Sequence, residues 1–475
     1  VVGVEADELQ QGRTRTIGRM ATILTPSGDT TGAADTAAIS AAVAATGSKT
    51  VLLAGDWYTR APVVMGQGAE LAGEGGAVNG VTSMNPQGTV IHPVAAFTGG
   101  EVITLPHGTR GHRFRDFTII NDLGTGPGVD GIAAHGEVDG GMFELLAITK
   151  VTGHGLAWTQ LNGIDGDGVW IDRCMIQRPG LNGLHRIPND ANVRNVHVQY
   201  AGQAGDATYK HAFYSTPSST GNATFEGCRA DLCVGSGWVL DHKGVYGDAV
   251  KLAGCSTERN AQSGVLIVNS SPGGDDWRTP VIISGCGFGG DGTGTGPGGA
   301  HYGRGGDYAG IEVRGRNRVF ISGTCVTVNN VDNADGAPRW ALIIRQDGSP
   351  GANVETIVWD GGRMNFAMAQ GGTQPVLNHS LCDNLLIGPT VTYTGDYQDI
   401  TPTCRAGKVT LNSSGQATVN TKWSWPSVLP LLTPLASPAG RLYVSSRSDG
   451  SFTIKSTAGS SDSGRPVAWM IAPGD

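Results

Sequence analysis

The sequence predicts an all-β chain wound as a solenoid, a parallel β-helix, and three observations lead there. The first is repetition. From Leu146 onward, runs of roughly 24 to 31 residues recur, each with an apolar or Cys-centred strand, then a small residue and a second strand. Cys174 to Gly183, Cys228 to Gly237 and Cys255 to Gly264 align without gaps, and Leu146 to Gly155 has the same length. The aligned segments lead into Leu184-His185-Arg186, Trp238-Val239-Leu240 and Val265-Leu266-Ile267. The second is the character of the runs. They are short, rich in Val and Ile, and broken by Gly, Asn and Asp, as strands and turns are. Amphipathic helical runs are almost absent after Ala45, and no Leu/Asn repeat consensus is present. The third is composition. Of 475 residues 75 are Gly, and only 16% are charged against about a quarter in ordinary soluble chains. A chain this long usually divides into domains, but a solenoid can be one long body.

Two columns organise the coils, which are expected from about Val51 to Val391. The strand centres are Phe117, Leu146, Cys174, Val198, Cys228, Cys255, Cys286 and Cys325. The companion column is Gly131, Gly155, Gly183, Ala212, Gly237, Gly264, Gly310 and Ala341. Two spacings are stretched, by Gly287–Gly306 and by Asn329–Pro338. Insertions in a repeat belong in loops on one face, often the binding face.

The chain has eight cysteines. Cys174, Cys228, Cys255, Cys286 and Cys325 share one place in successive coils, so they are expected to stack inside as small apolar residues. Free buried thiols are the expectation, with bridging between stacked neighbours the alternative. Cys382 and Cys404 lie outside the ladder, and their pairing stays open. No Cys-x-x-Cys pair is present, so no metal is expected.

A net charge of −8 argues against a nucleic-acid partner, whose phosphates need a basic face. No apolar run is long enough to span a bilayer, and no signal peptide with a charged start is seen. Membrane insertion is therefore not expected. The chain begins at Val1 rather than Met, which leaves room for an upstream segment.

Ahead of the solenoid lies Gly28-Asp29-Thr30-Thr31-Gly32-Ala33-Ala34-Asp35-Thr36-Ala37-Ala38-Ile39, followed by Thr50-Val51-Leu52-Leu53-Ala54-Gly55-Asp56-Trp57-Tyr58. This resembles the opening of the pectate-lyase-like right-handed β-helix superfamily, with Ala34 in place of the first Asp of its usual pair and Ala54 where Pro is common. Asp35 or Thr36 is expected to cap a short Ala-rich helix that plugs the open end of the solenoid. The superfamily includes pectate lyases, polygalacturonases, epimerases and phage tailspikes.

The far end chooses among these. Ala406–Asp475 leaves the repeat and reads as a small antiparallel β module, with strands at Gly407–Leu411, Gln416–Val419, Gly440–Val444, Ser451–Ser456 and Val467–Ile471. The segments Phe452 to Ser456 and Pro466 to Ile471 are similar to a C-terminal module of tail proteins from phages of high-GC Gram-positive bacteria. The resemblance implies a tailspike or minor tail protein. Expected segments are 1–24 for attachment, 25–404 for the capped β-helix and 405–475 for the end module.

Tailspikes of this type are usually parallel homotrimers. By strand alternation, Leu184, Phe213, Trp238, Val265, Ile311 and Leu342 point inward and His185, Tyr214, Val239, Leu266, Glu312 and Ile343 outward. Several outward residues are apolar, which marks either a trimer interface or coverage by the chain's own loops.

A depolymerase needs two carboxylates facing one glycosidic bond. Counted from Cys, Asp231 and Glu258 fall opposite each other, about 4.8 Å apart on adjacent rungs, with Arg229 and Arg259 as neutralising or substrate-binding cations. The alternative is a solvated charged turn. The runner-up pair is Asp241 and Glu312, two rungs or about 9.6 Å apart, flanked by Arg314 and Arg345, with His301 and Tyr302 in the Gly-rich loop above. Other strings are weaker. Gly153-His154-Gly155 is similar to a polygalacturonase motif without its acidic partners. Asp165-Gly166-Asp167-Gly168 lacks the remaining ligands of a calcium loop. Asp275-Asp276-Trp277 either faces a sugar or turns the chain. No nucleophile elbow or phosphate loop occurs, and no cofactor is expected. The expected function is a phage tail protein at the host surface, partnered by other tail proteins and a host surface polysaccharide. A secreted or cell-associated lyase or hydrolase, or a depolymerase of the host glycan, is one alternative. A purely structural tail component is another.

Overall fold

The structure, a computed structural model, describes residues 21–75, 88–159, 167–215, 222–241, 249–268, 280–291, 308–315, 317–327, 340–346, 354–364, 376–377, 381–388, 391–393, 406–420, 428–437, 439–448 and 451–473. Strands from Thr22–Leu24 through Thr392–Tyr393 pair only in parallel and stack as a β-helix. Each middle coil contributes three strands. In one coil these are Thr224–Glu226, Arg229–Asp231 and Trp238–Asp241. They belong to three columns, here called one, two and three. Columns one and two join in a single large sheet, and column three forms an 11-stranded sheet.

A single left-handed residue makes the corner between columns one and two. Leu145, Arg173, Asn195, Gly227, Gly254 and Gly285 occupy it, with φ between 51° and 61°. Three of these are Gly because that conformation penalises a Cβ. The corner turns the next side chain inward: Leu146, Cys174, Val196, Cys228, Cys255 and Cys286, all buried. The predicted ladder thus holds for Cys174, Cys228, Cys255 and Cys286. Each thiol also lies 3.3–3.5 Å from a carbonyl one coil back, on Phe143, Val193, Phe225 and Leu252. Two members need correction. Val196, not Val198, fills its rung, because Val198 pairs with Ile176 two positions on. Thr324, not Cys325, fills the last, because Cys325 pairs with Gly287. Cys174, Cys228, Cys233, Cys255, Cys286 and Cys325 are free thiols; Cys404 lies outside the described residues.

Column three keeps the predicted register from Gly131 to Ala341. Its inward residues, Leu184, Phe213, Trp238, Val265, Ile311 and Leu342, are fully buried. The outward assignment as a subunit interface is corrected at two places, Val239 and Ile343, while Leu266 stays partly exposed. Val239 is 5% exposed and Ile343 0% within one chain, so neither is presented to a partner. Ile343 packs on Ala309 and Trp340.

The helix Ala33–Val43 sends Ile39 and Val43 into the solenoid core, closing its end. Its cap differs from the expectation. Asp29 accepts from Ala34 N–H at 2.9 Å, and that bond holds its carboxyl below the ordinary value. Asp35 is buried and ties the helix to the next turns, accepting from Ser27 N–H and Tyr58 N–H, each at 2.9 Å.

The C-terminal module is two three-stranded antiparallel sheets. Its core is Leu411, Ala417, Val419, Phe452, Ile454, Val467 and Trp469. One strand, Val428–Pro434, was not expected from the sequence, since two prolines interrupt it; it runs along Pro466–Pro473. Among the described residues, no helix is long and apolar enough to cross a membrane.

Candidate functional site

Column two carries the first carboxylate pair. Asp231 and Glu258 stand opposite each other on adjacent strands, as the spacing predicts. Arg229, on the same face as Asp231 by strand alternation, joins them. Its Nε is 2.6 Å from Asp231 Oδ2 and a terminal nitrogen is 2.6 Å from Glu258 Oε2. Arg259, at a left-handed corner, is 3.9 Å from Glu258. Asp231 is 2% exposed, and its Oδ2 also meets His197 Nε2 at 2.7 Å. A glycosidase pair needs a sugar between its carboxyl groups and a proton on one. Here a guanidinium occupies that place and pairs with both.

The second pair is not a facing pair. Glu312 is 1% exposed; its Oε1 meets Arg314 Nε at 2.7 Å and Arg345 Nε at 2.8 Å, and Oε2 accepts from the Ser263 hydroxyl at 2.8 Å. Asp241 is opposite Val268, and then Arg314 and Arg345, so it lies two residues along the strand from Glu312's column. The expected two-rung separation is therefore corrected. His301 and Tyr302, most of the Gly-rich loop and Asp275-Asp276-Trp277 lie outside the described residues.

Column three holds what sequence reasoning missed. Just before its strands runs a ladder of side chains, each accepting from the backbone N–H one rung on. Asp130 Oδ1 accepts from His154 N–H (2.6 Å), His154 Nδ1 from Asn182 N–H (3.1 Å), Asn182 Oδ1 from His211 N–H (2.8 Å) and His211 Nδ1 from Ser236 N–H (2.9 Å). With its oxygen so used, Asn182 donates Nδ2–H to His185 Nδ1 at 3.0 Å. All three imidazoles thus carry their proton on Nε2. Burial pushes His154 down to about 4 and His211 to about 3, with His185 lower still, so all are neutral.

The rings form a stack. His154 lies on His185 at 3.9 Å and 7°, His185 on Tyr214 at 5.5 Å and 12°, and Tyr214 on His211 at 5.7 Å and 16°. Tyr209 stands at 79°, 83° and 88° to His154, His185 and Tyr214. The ladder begins beside a third acidic pair. Asp130 is in register with Glu101, and burial pushes its carboxyl up to about 7. Glu101 Oε1 accepts from the Thr104 hydroxyl at 2.7 Å and lies 3.2 Å from His135 Nε2. The signal was present in the sequence as Gly153-His154-Gly155 and in the outward places of His185 and Tyr214. Tyr209 comes from a connecting segment, which no repeat alignment reaches.

No family model matches the chain, and no curated protein matches it. Solved structures do. The A-module of Azotobacter vinelandii mannuronan C-5 epimerase AlgE6 superposes with a TM-score of 0.51 at 15% identity, over 76% of this chain and 94% of that one. Pre-mature gene product 12 of bacteriophage phi29 gives 0.49 at 12% identity, over 72% of this chain and 47% of that one. The tailspike gp49 of Acinetobacter baumannii bacteriophage Fri1, a capsular polysaccharide depolymerase, gives 0.42 at 11%, over 90% and 79%. At 15% identity the AlgE6 likeness establishes fold alone, and together with the parallel columns it makes this chain a right-handed parallel β-helix protein.

Proposed function

We propose that the chain is a phage tail protein that contacts the host envelope by binding a surface polysaccharide, and that it works as a homotrimer alongside other tail proteins. The observation that carries the polysaccharide reading is the patch of stacked rings on column three of a long solenoid, a surface that suits an extended polymer. The tail assignment rests on the sequence resemblance of the end module, and with it the division at 24/25 and 404/405. Arginine neutralisation of Asp231, Glu258 and Glu312 supports binding over cleavage at those positions. Trimerisation draws support from the outer face of column one, where Lys251, Ile282, Phe320 and Val358 are in register and Phe320 is 40% exposed.

A second reading is a depolymerase, favoured by one observation. Asp130 holds a proton near neutrality and faces Glu101 across one rung, the requirement for an acid and a partner carboxylate. The test is incubation of the purified protein with host cell-wall polysaccharide, measuring retention and then chromatography of released fragments. Retention without fragments is the expected result. No retention rejects the polysaccharide reading; fragments lost in Asp130→Asn establish the depolymerase.

A further inference from the structure

We infer that Tyr209 is a stacking platform for an uncharged pyranose ring, an inference that rests on the polysaccharide reading above and names its subsite and sugar class. The geometry fixes how the ring is used. His185 has both faces covered, one by His154 at 3.9 Å and one by Tyr214 at 5.5 Å. Its contact with Tyr209, 5.1 Å between centroids at 83°, therefore presents an imidazole edge to the tyrosine face. Edges of His154 and Tyr214 flank it at 5.6 and 6.0 Å. One face of Tyr209 rests on this bed, and the residue keeps 36% of its surface exposed. A flat ring that lies on a rigid bed and stays partly exposed is what the C–H face of a sugar stacks on.

The platform is held in place before any ligand arrives. Asp206 Oδ1 accepts from Thr208 N–H at 2.7 Å and Tyr209 N–H at 2.8 Å, shaping the turn. The segment before it is tied to the previous coil by Gly202 N–H to Leu181 O (2.9 Å) and Ala204 N–H to Gly180 O (2.8 Å). Gly202, at φ 89°, has no room for a Cβ, which would meet Lys210 at 2.7 Å. The bed carries no charge, because its imidazoles are neutral. Among the described residues, the ionic groups that act on the cluster, Asp206, Lys210, Arg186 and Asp241, balance in sign. Such a surface favours an uncharged sugar, whose binding depends on ring contact, over a polyanion.

The test is affinity electrophoresis of the full chain through gels containing dextran, galactomannan, polygalacturonate or host cell-wall polysaccharide. Wild type is expected to be retarded by at least one polymer with uncharged hexose units. Tyr209→Ala should weaken that retardation about tenfold or more, Tyr209→Phe should preserve it, and Tyr209→Trp should strengthen it. Retardation shared equally by Tyr209→Ala, or a Tyr209→Phe loss as large as that of Ala, overturns the platform and leaves the polysaccharide reading standing. Retardation by polygalacturonate alone overturns the sugar class. No retardation of wild type by any of the four overturns both.

Discussion

Asp291 gives the sharpest check on the interior. After column two a second left-handed corner, Leu232, Arg259 and Gly290 in successive coils, turns the next residue inward: Cys233, Asn260 and Asp291, all fully buried. Asp291 Oδ1 accepts from Asn260 Nδ2–H at 2.9 Å and its N–H at 3.2 Å, and Oδ2 accepts from the Thr257 hydroxyl. These bonds favour the ion, but burial outweighs them and pushes the carboxyl from 3.8 up to about 7. Below pH 4 the folded and unfolded chains both hold the proton. Between about 4 and 7 only the folded chain holds it, so stability falls by roughly 1.4 kcal/mol per pH unit as pH rises. Above about 7 the full cost is present, about 4 kcal/mol.

The perturbation is Asp291→Asn. Its oxygen can keep both bonds from Asn260, and its amide can donate to the Thr257 hydroxyl, which then accepts. The shape is retained and the charge is removed. Urea unfolding of both proteins from pH 4.5 to 8 should give curves that nearly coincide at the acid end. They should then diverge until the variant is more stable by several kcal/mol, up to about 4, at pH 8. Asp130, also raised to about 7, adds the same slope to both proteins and cancels in the difference. Parallel pH profiles, or a variant less stable than wild type at pH 8, would refute the account of Asp291 as a buried, protonated acid.

Three further outcomes are expected. Cys255→Asp puts a carboxylate into the thiol ladder without a cation and should cost more than about 3 kcal/mol, whereas Cys255→Ser should cost far less; melting temperature and soluble yield decide. Arg229→Ala removes the guanidinium from buried Asp231, leaving His197 Nε2 as its side-chain partner among the described residues, and should destabilise by about 3 kcal/mol, while Glu258→Gln, at a more exposed position, should change stability by less than about 1 kcal/mol. Phe320→Glu should convert the proposed trimer to monomer in light scattering; a wild type that is already monomeric at micromolar concentration, or a variant that stays trimeric, rejects the column-one interface.

The repeat was legible because the solenoid imposes one chemical demand at each coil. A corner that needs positive φ and an interior place that takes a small apolar group together write Gly-Cys three times in succession: Gly227-Cys228, Gly254-Cys255 and Gly285-Cys286. The phase slipped where the demand was met by other residues. Asn195-Val196 makes the same corner, but Val198 two places on is equally apolar, and a period-two strand offers both phases. Thr324 takes the Cys place with its hydroxyl 3.1 Å from Ser322 O, close to the 3.4 Å that separates the Cys286 thiol from Ser284 O, so this rung carries no Cys and the neighbouring Cys325 reads in its stead. The outward column failed for a different reason. Alternation reports which side of a strand a residue takes, but not what covers that side, so Val239 and Ile343 read as exposed when the chain itself covers them.

The candidate site was harder to read because its members play different backbone roles. Asp231 and Glu258 were found since both lie on strands in one column, where register is arithmetic. The ring patch mixes a residue before the strand (His154), residues within strands (His185, Tyr214), and one from a connection fixed by a turn (Tyr209). The coil-to-coil bonds of Asp130, His154, Asn182 and His211 align the coils beneath these rings, and they use three kinds of side chain to accept a backbone N–H. A ladder that accepts with carboxylate, imidazole and amide in turn has no consensus, since any acceptor of suitable reach satisfies the next N–H. The imidazoles are therefore determined by what they accept rather than by what they present. Fixing Nδ1 on a backbone N–H in His154 and His211, and on the Asn182 amide in His185, leaves each ring an uncharged, oriented plate, and stacking such plates is what gives the exposed tyrosine above them a rigid bed.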